Sequence, residues 1–382
     1  MKIAFVTNFD LGNKRSWSIT YDHIFRSLVK TGIDVYPIES GSCETITSFV
    51  KGYYYGRISR QTYFKSYDPS ILRKIAKKIE TKVTKLNIDA ILSLKWDPIV
   101  YLETNLPIIF WHDATIPNLT GYNSSPRKTC AESIKNAIKA ERQAINKSGL
   151  AIYSSEWAAQ TAIEYYKTDP KKISVVPFGA NTTSSRSIKN IVDIVKKRDT
   201  AICKLLFIGA EWKRKGGDTA VEIVQRLNDR GIDTRIDIIG ESPPGKLPNF
   251  VNSLGFISKA TSDGLNLYES LLSSAHFLIS PTRADCTPLI FPESASFGLP
   301  VITTNVGGIG SVISNGKNGQ VFPWDSDPDI YCDYIEKLWN NRQSYEELCL
   351  SSFYEYTARL NWSTSAKKIV ELIKDLIRKQ LK

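Results

Sequence analysis

The chain has no run of 18 consecutive apolar residues in its 382, so the sequence offers no candidate for a membrane-spanning helix. Its first residues, MKIAFVTNF, stop being apolar at Asn8 and Asp10 and lack the long apolar core and small-residue cleavage site of a signal peptide. A cytoplasmic protein is therefore expected. Histidine is scarce, at three residues, and the six cysteines (Cys43, Cys130, Cys203, Cys286, Cys332 and Cys349) form no CxxC pair, so no zinc-ligand spacing exists and all six are read as reduced thiols. Internal repeats and low-complexity tracts are missing too, and the ordinary composition argues against fibrous and disordered classes. Acidic residues are in deficit, 39 against 50 Lys and Arg, giving a net charge of +11. Such an excess attracts polyanions or anionic membrane surfaces. Leu72–Leu86 (LRKIAKKIETKVTKL) repeats apolar residues at about helical spacing with cations between, which suits a helix lying on the inner face of a membrane or a solvated outer helix equally. No nucleic-acid-binding motif accompanies the charge, so nucleic acid is not expected as a partner.

What is present is a regular alternation of short β-rich runs with helical stretches, the pattern of an α/β fold with parallel sheets. A single core stops growing at roughly 250–300 residues, so two domains are the default. In the N-terminal half KIAFVTN, IDVYPI, IDAILSL, LPIIFWH, LAIYSS and ISVVPF read as strands, with Trp17–Lys30 as the first helix. The polar stretch Asn181–Thr200 has no clear strand and marks the expected boundary. A second alternation follows, with CKLLFIG, RIDIIG, HFLISP and PVITTN as strands. Ser363–Leu381 reads as a closing helix capped by Ser363. The expectation is two Rossmann-like domains facing across a cleft: residues 1–180 with a returning helix at 361–382, and residues 181–360. Ligands of open α/β sheets bind beyond the carboxyl ends of the strands, so such a pair suits a two-substrate enzyme.

Four segments carry candidate chemistry. In Ser280–Pro300 (SPTRADCTPLIFPESASFGLP) a strand, a polar loop and a helix beginning near Pro288 place Asp285 and Glu293 eight positions apart, and carboxylates accept paired hydrogen bonds from vicinal sugar hydroxyls. The amides of Cys286, Thr287 and Leu289 would face the same ligand, Pro288 having no N–H to give. Phe207–Asp218 (FIGAEWKRKGGD) joins Gly209, which lets a backbone approach a phosphate, to Lys213, Arg214 and Lys215. FWHDA puts His112 at a strand end, and NFDLGNK puts Gly12 in the loop after the first strand.

The pattern acidic-x7-Glu followed by FGLPVITT and a Gly-rich turn at Val306–Ile309 resembles the donor-binding signature of family 4 (group 1) retaining glycosyltransferases with the GT-B fold. The resemblance implies that Glu293 holds the nucleotide ribose, that Asp285 lies near the donor sugar where the family usually has Glu, and that Lys215 meets the diphosphate. It gives His112 a place beside the transferred sugar and Gly12 a place near the donor phosphate. It further implies a nucleotide-sugar donor; a cytoplasmic enzyme with a basic face is expected to extend a saccharide or lipid-linked saccharide in cell-surface glycan synthesis, with no cofactor and no required metal. The two D-x-D matches at Asp325–Asp329 precede a helix and are read as caps rather than metal ligands. A glycosyltransferase acting on a small molecule, or a non-catalytic protein binding anionic surfaces, are the alternatives.

Overall fold

Strands buried on both faces need near-continuous apolar sequence, and the short runs read above supply it. The computed structural model describes residues 1–8, 17–120, 128–182, 186–242 and 245–380. It divides into two compact units: Met1–Val176 with Ser365–Lys382, and Pro177–Thr364.

The first unit is built on six strands, β1 (Lys2–Thr7), β2 (Asp34–Glu39), β3 (Ala90–Ser93), β4 (Ile108–His112), β5 (Leu150–Tyr153) and β6 (Ile173–Val175). They pair in the order β2-β1-β3-β4-β5-β6, every pair parallel. One face packs Ala4, Val6, Ile91, Phe110 and Tyr153 against the helix Pro69–Val83 and the helix Ala131–Lys147. Asp68 starts the first of these helices by accepting from the Ser70 amide at 2.8 Å, with Pro69 preset for the first turn. Its Ile71, Leu72, Ile75, Ala76, Ile79 and Val83 are all buried in the core. This corrects the picture of Leu72–Leu86 as a helix laying its apolar face on a membrane, because that face packs on its own domain and the cations face outward.

The second unit has β7 (Cys203–Gly209), β8 (Thr234–Gly240), β9 (Val251–Gly255), β10 (Phe277–Ser280), β11 (Val301–Thr304) and β12 (Gly319–Phe322) in the parallel order β12-β11-β10-β7-β8-β9. Alternate residues feed two cores: Leu205, Phe207, Ile236 and Ile302 one face, Leu206, Ile239, Leu278 and Val301 the other. The stretch Asn181–Thr200 is not a plain polar linker. Ser187 and Asn190 form a capping box that opens the helix Ile188–Lys196, and Ile191 and Val195 are buried in this unit. The closing helix runs Trp362–Gln380, and its first turn is capped by Asn361, whose Oδ1 accepts from the Thr364 amide at 2.9 Å, rather than by Ser363.

Among the described residues no helix is long and apolar enough to cross a membrane.

Candidate active site

In the second unit the chain builds β7, β8 and β9 outward, then returns to place β10 on the other side of β7. The carboxyl ends of β7 and β10 are therefore the switch point at which open parallel sheets leave a crevice. Both loops there are held in one conformation by sequence. After β7 a single-turn helix, Trp212–Lys215, ends at Gly216 with φ +77°. A Cβ at Gly216 would lie 2.0 Å from the Pro281 carbonyl oxygen, so only glycine lets the β7 loop settle on the β10 loop. Three further bonds join them. The Arg283 amide donates to the Arg214 carbonyl at 2.8 Å, the Thr282 hydroxyl donates to the same oxygen at 3.1 Å, and the Arg214 guanidinium reaches the Ala284 carbonyl at 2.7 Å.

This places the Lys215 ammonium on the Asp285 carboxylate, with both side chains largely buried. Gly209 sits beneath, where a Cβ would come 3.0 Å from the Lys215 Cβ. The three consecutive cations separate here. Arg214 pairs with Glu211 at 2.7 Å and ties the two loops together, while Lys213 is exposed and pairs with Asp218 at 2.5 Å, so only Lys215 joins Asp285.

Beyond Asp285 the loop carries Cys286, Thr287, Pro288 and Leu289, of which Thr287 and Pro288 are buried, and the helix starts at Ile290 and runs only to Ala295. A helix of six residues has a weak dipole, so its charge effect is smaller than that of the lysine. The Asp285 carbonyl accepts from the Gly308 amide at 3.3 Å, which brings the glycine turn after β11 onto this loop. Glu293 is almost fully buried. Its Oε1 takes the Lys259 ammonium at 2.7 Å and its Oε2 takes the Tyr268 hydroxyl at 2.5 Å. Sequence reading did not find Lys259 and Tyr268. They come from the loop after β9 and the helix Ser262–Ser274, 34 and 25 positions before Glu293, with no motif to link them.

In the first unit His112 ends β4, and its Nδ1 lies 2.7 Å from the Ala114 carbonyl. A carbonyl only accepts, so Nδ1 carries the proton and Nε2 presents its lone pair. Gly12 lies outside the described residues. Asn8, just before it, bonds Asp97 at 2.7 Å and Ser40 at 2.9 Å, joining the carboxyl ends of β1, β2 and β3. Asp327 caps the helix Pro328–Trp339 by accepting from the Asp329 amide, and both aspartates pair with Arg226. Among the described residues no three His, Cys, Asp or Glu side chains gather as a metal-ligand set.

The chain shares its fold with solved proteins of one architecture. Sucrose-phosphate synthase from Thermosynechococcus elongatus matches at a TM-score of 0.70 and 15% identity, covering 99% of each chain. The Anabaena protein HepE, solved with UDP and glucose, matches at 0.63 and 15%, covering 98% of this chain and 99% of that one. With two parallel six-stranded sheets, the fold is GT-B. Residues 203–341, which hold Lys215, Asp285 and Glu293, match the model of the family described as glycosyl transferases group 1. It is 26% identical over 165 residues to the lipopolysaccharide glucosyltransferase WaaG of Escherichia coli (strain K12), covering 41% of this chain and 44% of WaaG. It is 24% identical over 224 residues to a D-inositol 3-phosphate glycosyltransferase of Paenarthrobacter aurescens (strain TC1), covering 54% and 53%. The chain spans about half the length of these curated relatives.

Proposed function

We propose that the protein is a retaining glycosyltransferase that moves a hexose-type sugar from a nucleoside-diphosphate sugar to a saccharide or lipid-linked saccharide during cell-surface glycan synthesis in the cytoplasm. The observation that carries this reading is the Lys215–Asp285 pair at the β7/β10 switch point. A cation fixed there meets the charge that grows on a departing diphosphate, and a preorganised charge needs no rearrangement as the bond breaks. In the reaction the bond from the anomeric carbon to the diphosphate oxygen breaks. The acceptor oxygen bonds to that carbon on the same face, and the acceptor proton leaves with the diphosphate. Glu293 takes the ribose hydroxyls, the loop Cys286–Leu289 lines the diphosphate, and Asp285 orients the sugar. His112 keeps the place beside the transferred sugar that the resemblance implies, its Nε2 able to accept from a hydroxyl. Lys215 makes a divalent metal and any further cofactor unnecessary.

The test is turnover of UDP-, GDP- and ADP-sugars with saccharide acceptors, with and without a chelator, and product stereochemistry read by NMR. One donor base should be consumed well above the others, unaffected by chelation, with the anomeric configuration kept. Absence of turnover and of any preferred nucleoside diphosphate in thermal-shift screening removes the reading.

A further inference from the structure

The helix Ile46–Tyr53 and the π turn Tyr54–Ile58 that continues it are built inside out. Their polar side faces the protein. Thr45 caps the helix by accepting from the Ser48 amide, Ser48 is buried, Lys51 pairs with Glu132 at 2.6 Å, and the Tyr55 hydroxyl donates to the same carboxylate at 3.0 Å. The Lys51 ammonium also holds the Glu132 carboxyl below its ordinary range, so this anchor stays charged at neutral pH. The apolar side faces out. Ile46, Phe49, Val50, Tyr53, Tyr54 and Ile58 are 85%, 57%, 56%, 61%, 49% and 65% exposed. Their spacing of three and four residues makes one continuous stripe. An ordinary surface helix buries such a stripe, and a contiguous exposed one marks a surface that something covers.

The charge around the stripe says what covers it. Residues 46–86 hold ten Lys or Arg against two acids, Asp68 and Glu80, a surplus of eight in a chain whose whole net charge is +11. Arg57 and Arg60 stand exposed at its end, and Lys65 lies over the Phe49 ring while pairing with Glu44. The outward face of the helix Pro69–Val83 adjoins it, since Thr45 bonds Ser70 at 2.7 Å and Lys74 reaches the Glu44 carbonyl at 3.1 Å. That face adds Arg73, Lys74, Lys77, Lys78 and Lys82, all exposed. Two copies of so cationic a face repel one another. An apolar and aromatic stripe in a basic field matches the acyl–headgroup boundary of an anionic bilayer, where tyrosines sit with ring in and hydroxyl out.

We infer that Ile46–Ile58 is a membrane-docking element that enters the interface of anionic lipid with its apolar stripe, held by the cations of residues 57–82. The inference is independent of the proposed reaction and is tested without it. The full chain is sedimented with vesicles of phosphatidylcholine alone and with vesicles containing about a third phosphatidylglycerol, at low and high salt. It should partition at least about tenfold more strongly onto the anionic vesicles, less so at high salt. The triple variant F49S/Y53S/I58S should lose about tenfold or more of that partitioning while unfolding at the wild-type temperature, since all three side chains face solvent. A second variant, K77Q/K78Q, should bind more weakly with a smaller salt dependence. Wild-type chain that ignores anionic vesicles, or a triple variant that binds as wild type does, overturns the inference. So does a wild-type dimer that the triple substitution dissociates and that shows no affinity for vesicles.

Discussion

A carboxylate as deeply buried as Glu293 is stable only if its oxygens are met, and Lys259 and Tyr268 meet one each. Replacement by Ala would strip both partners and confuse stability with binding. Glu293→Gln keeps the volume and one acceptor but removes the charge, so it should unfold close to the wild-type temperature. Its affinity for the nucleoside diphosphate should fall about tenfold or more, the worth of one charge-assisted bond, in a titration by calorimetry. Lys215→Ala should cut turnover by about a hundredfold or more with donor affinity less affected, because the developing charge is larger than the ground-state charge. Equal turnover by that variant removes Lys215 from the reaction. The two strand ends that carry Lys215 and Asp285 were legible because each is an apolar run followed by a polar loop and a helix. The partners of Glu293 were not legible, because they arrive through β9, whose VNSLG has too few apolar residues to read as a strand. The KRK run could not be sorted from sequence either, since only the fold sends Lys213 to Asp218 and Arg214 to Glu211.

The loops at the switch point owe their shape to Gly216 more than to any charged residue. Alanine there would have to hold φ near +77° and also put its Cβ 2.0 Å from the Pro281 oxygen. The two penalties together are expected to cost on the order of 2–4 kcal/mol, seen as a lower denaturant midpoint for Gly216→Ala. Because relief requires the β7 loop to lift from the β10 loop, the same variant should lose nucleotide affinity as well. A variant of unchanged stability and affinity would mean that the two loops are not held together by this turn. The well-buried strands are the elements that apolar sequence reveals, with ends within a residue or two for β7, β8 and β10. The edge strands β9 and β12 are not, since each is covered on fewer sides and carries polar residues. The helix Ile46–Tyr53 escaped for the opposite reason: its apolar side faces solvent, so its pattern is not that of a helix packing on a core.

At the scale of the whole chain the two compact units should answer mild acid in opposite directions, because Glu141 in the first and His276 in the second are buried groups moved to opposite sides of their ordinary ranges. In the first unit burial pushes the Glu141 carboxyl up to about 8, while its Oε2 accepts from the Ile116 amide at 2.7 Å and from the Tyr166 hydroxyl. Folded chain then holds a proton that unfolded chain releases, so this unit loses stability as pH rises from the ordinary carboxyl range through about 8. In the second unit burial pushes His276 down to about 4, with Nδ1 accepting from the Lys204 amide at 3.0 Å and Nε2 donating to the Asp199 carbonyl at 2.8 Å. Here the unfolded chain takes the proton first, so stability is lost as pH falls from the ordinary histidine range toward about 4. Between pH 7.5 and 5.5 the first unit should gain about 2 kcal/mol from Glu141 and the second lose about 1 kcal/mol through His276. Calorimetry across that range should therefore show two transitions moving apart or crossing. Glu141→Gln should flatten only the one, and His276→Asn only the other. A saturating nucleoside diphosphate should raise only the transition that responds to His276→Asn, by about 2.7 kcal/mol at a hundred times Kd, because the family match and the Lys215–Asp285 pair both lie in that unit. If nucleotide instead raises the transition that responds to Glu141→Gln, the donor site assigned to the second unit is wrong.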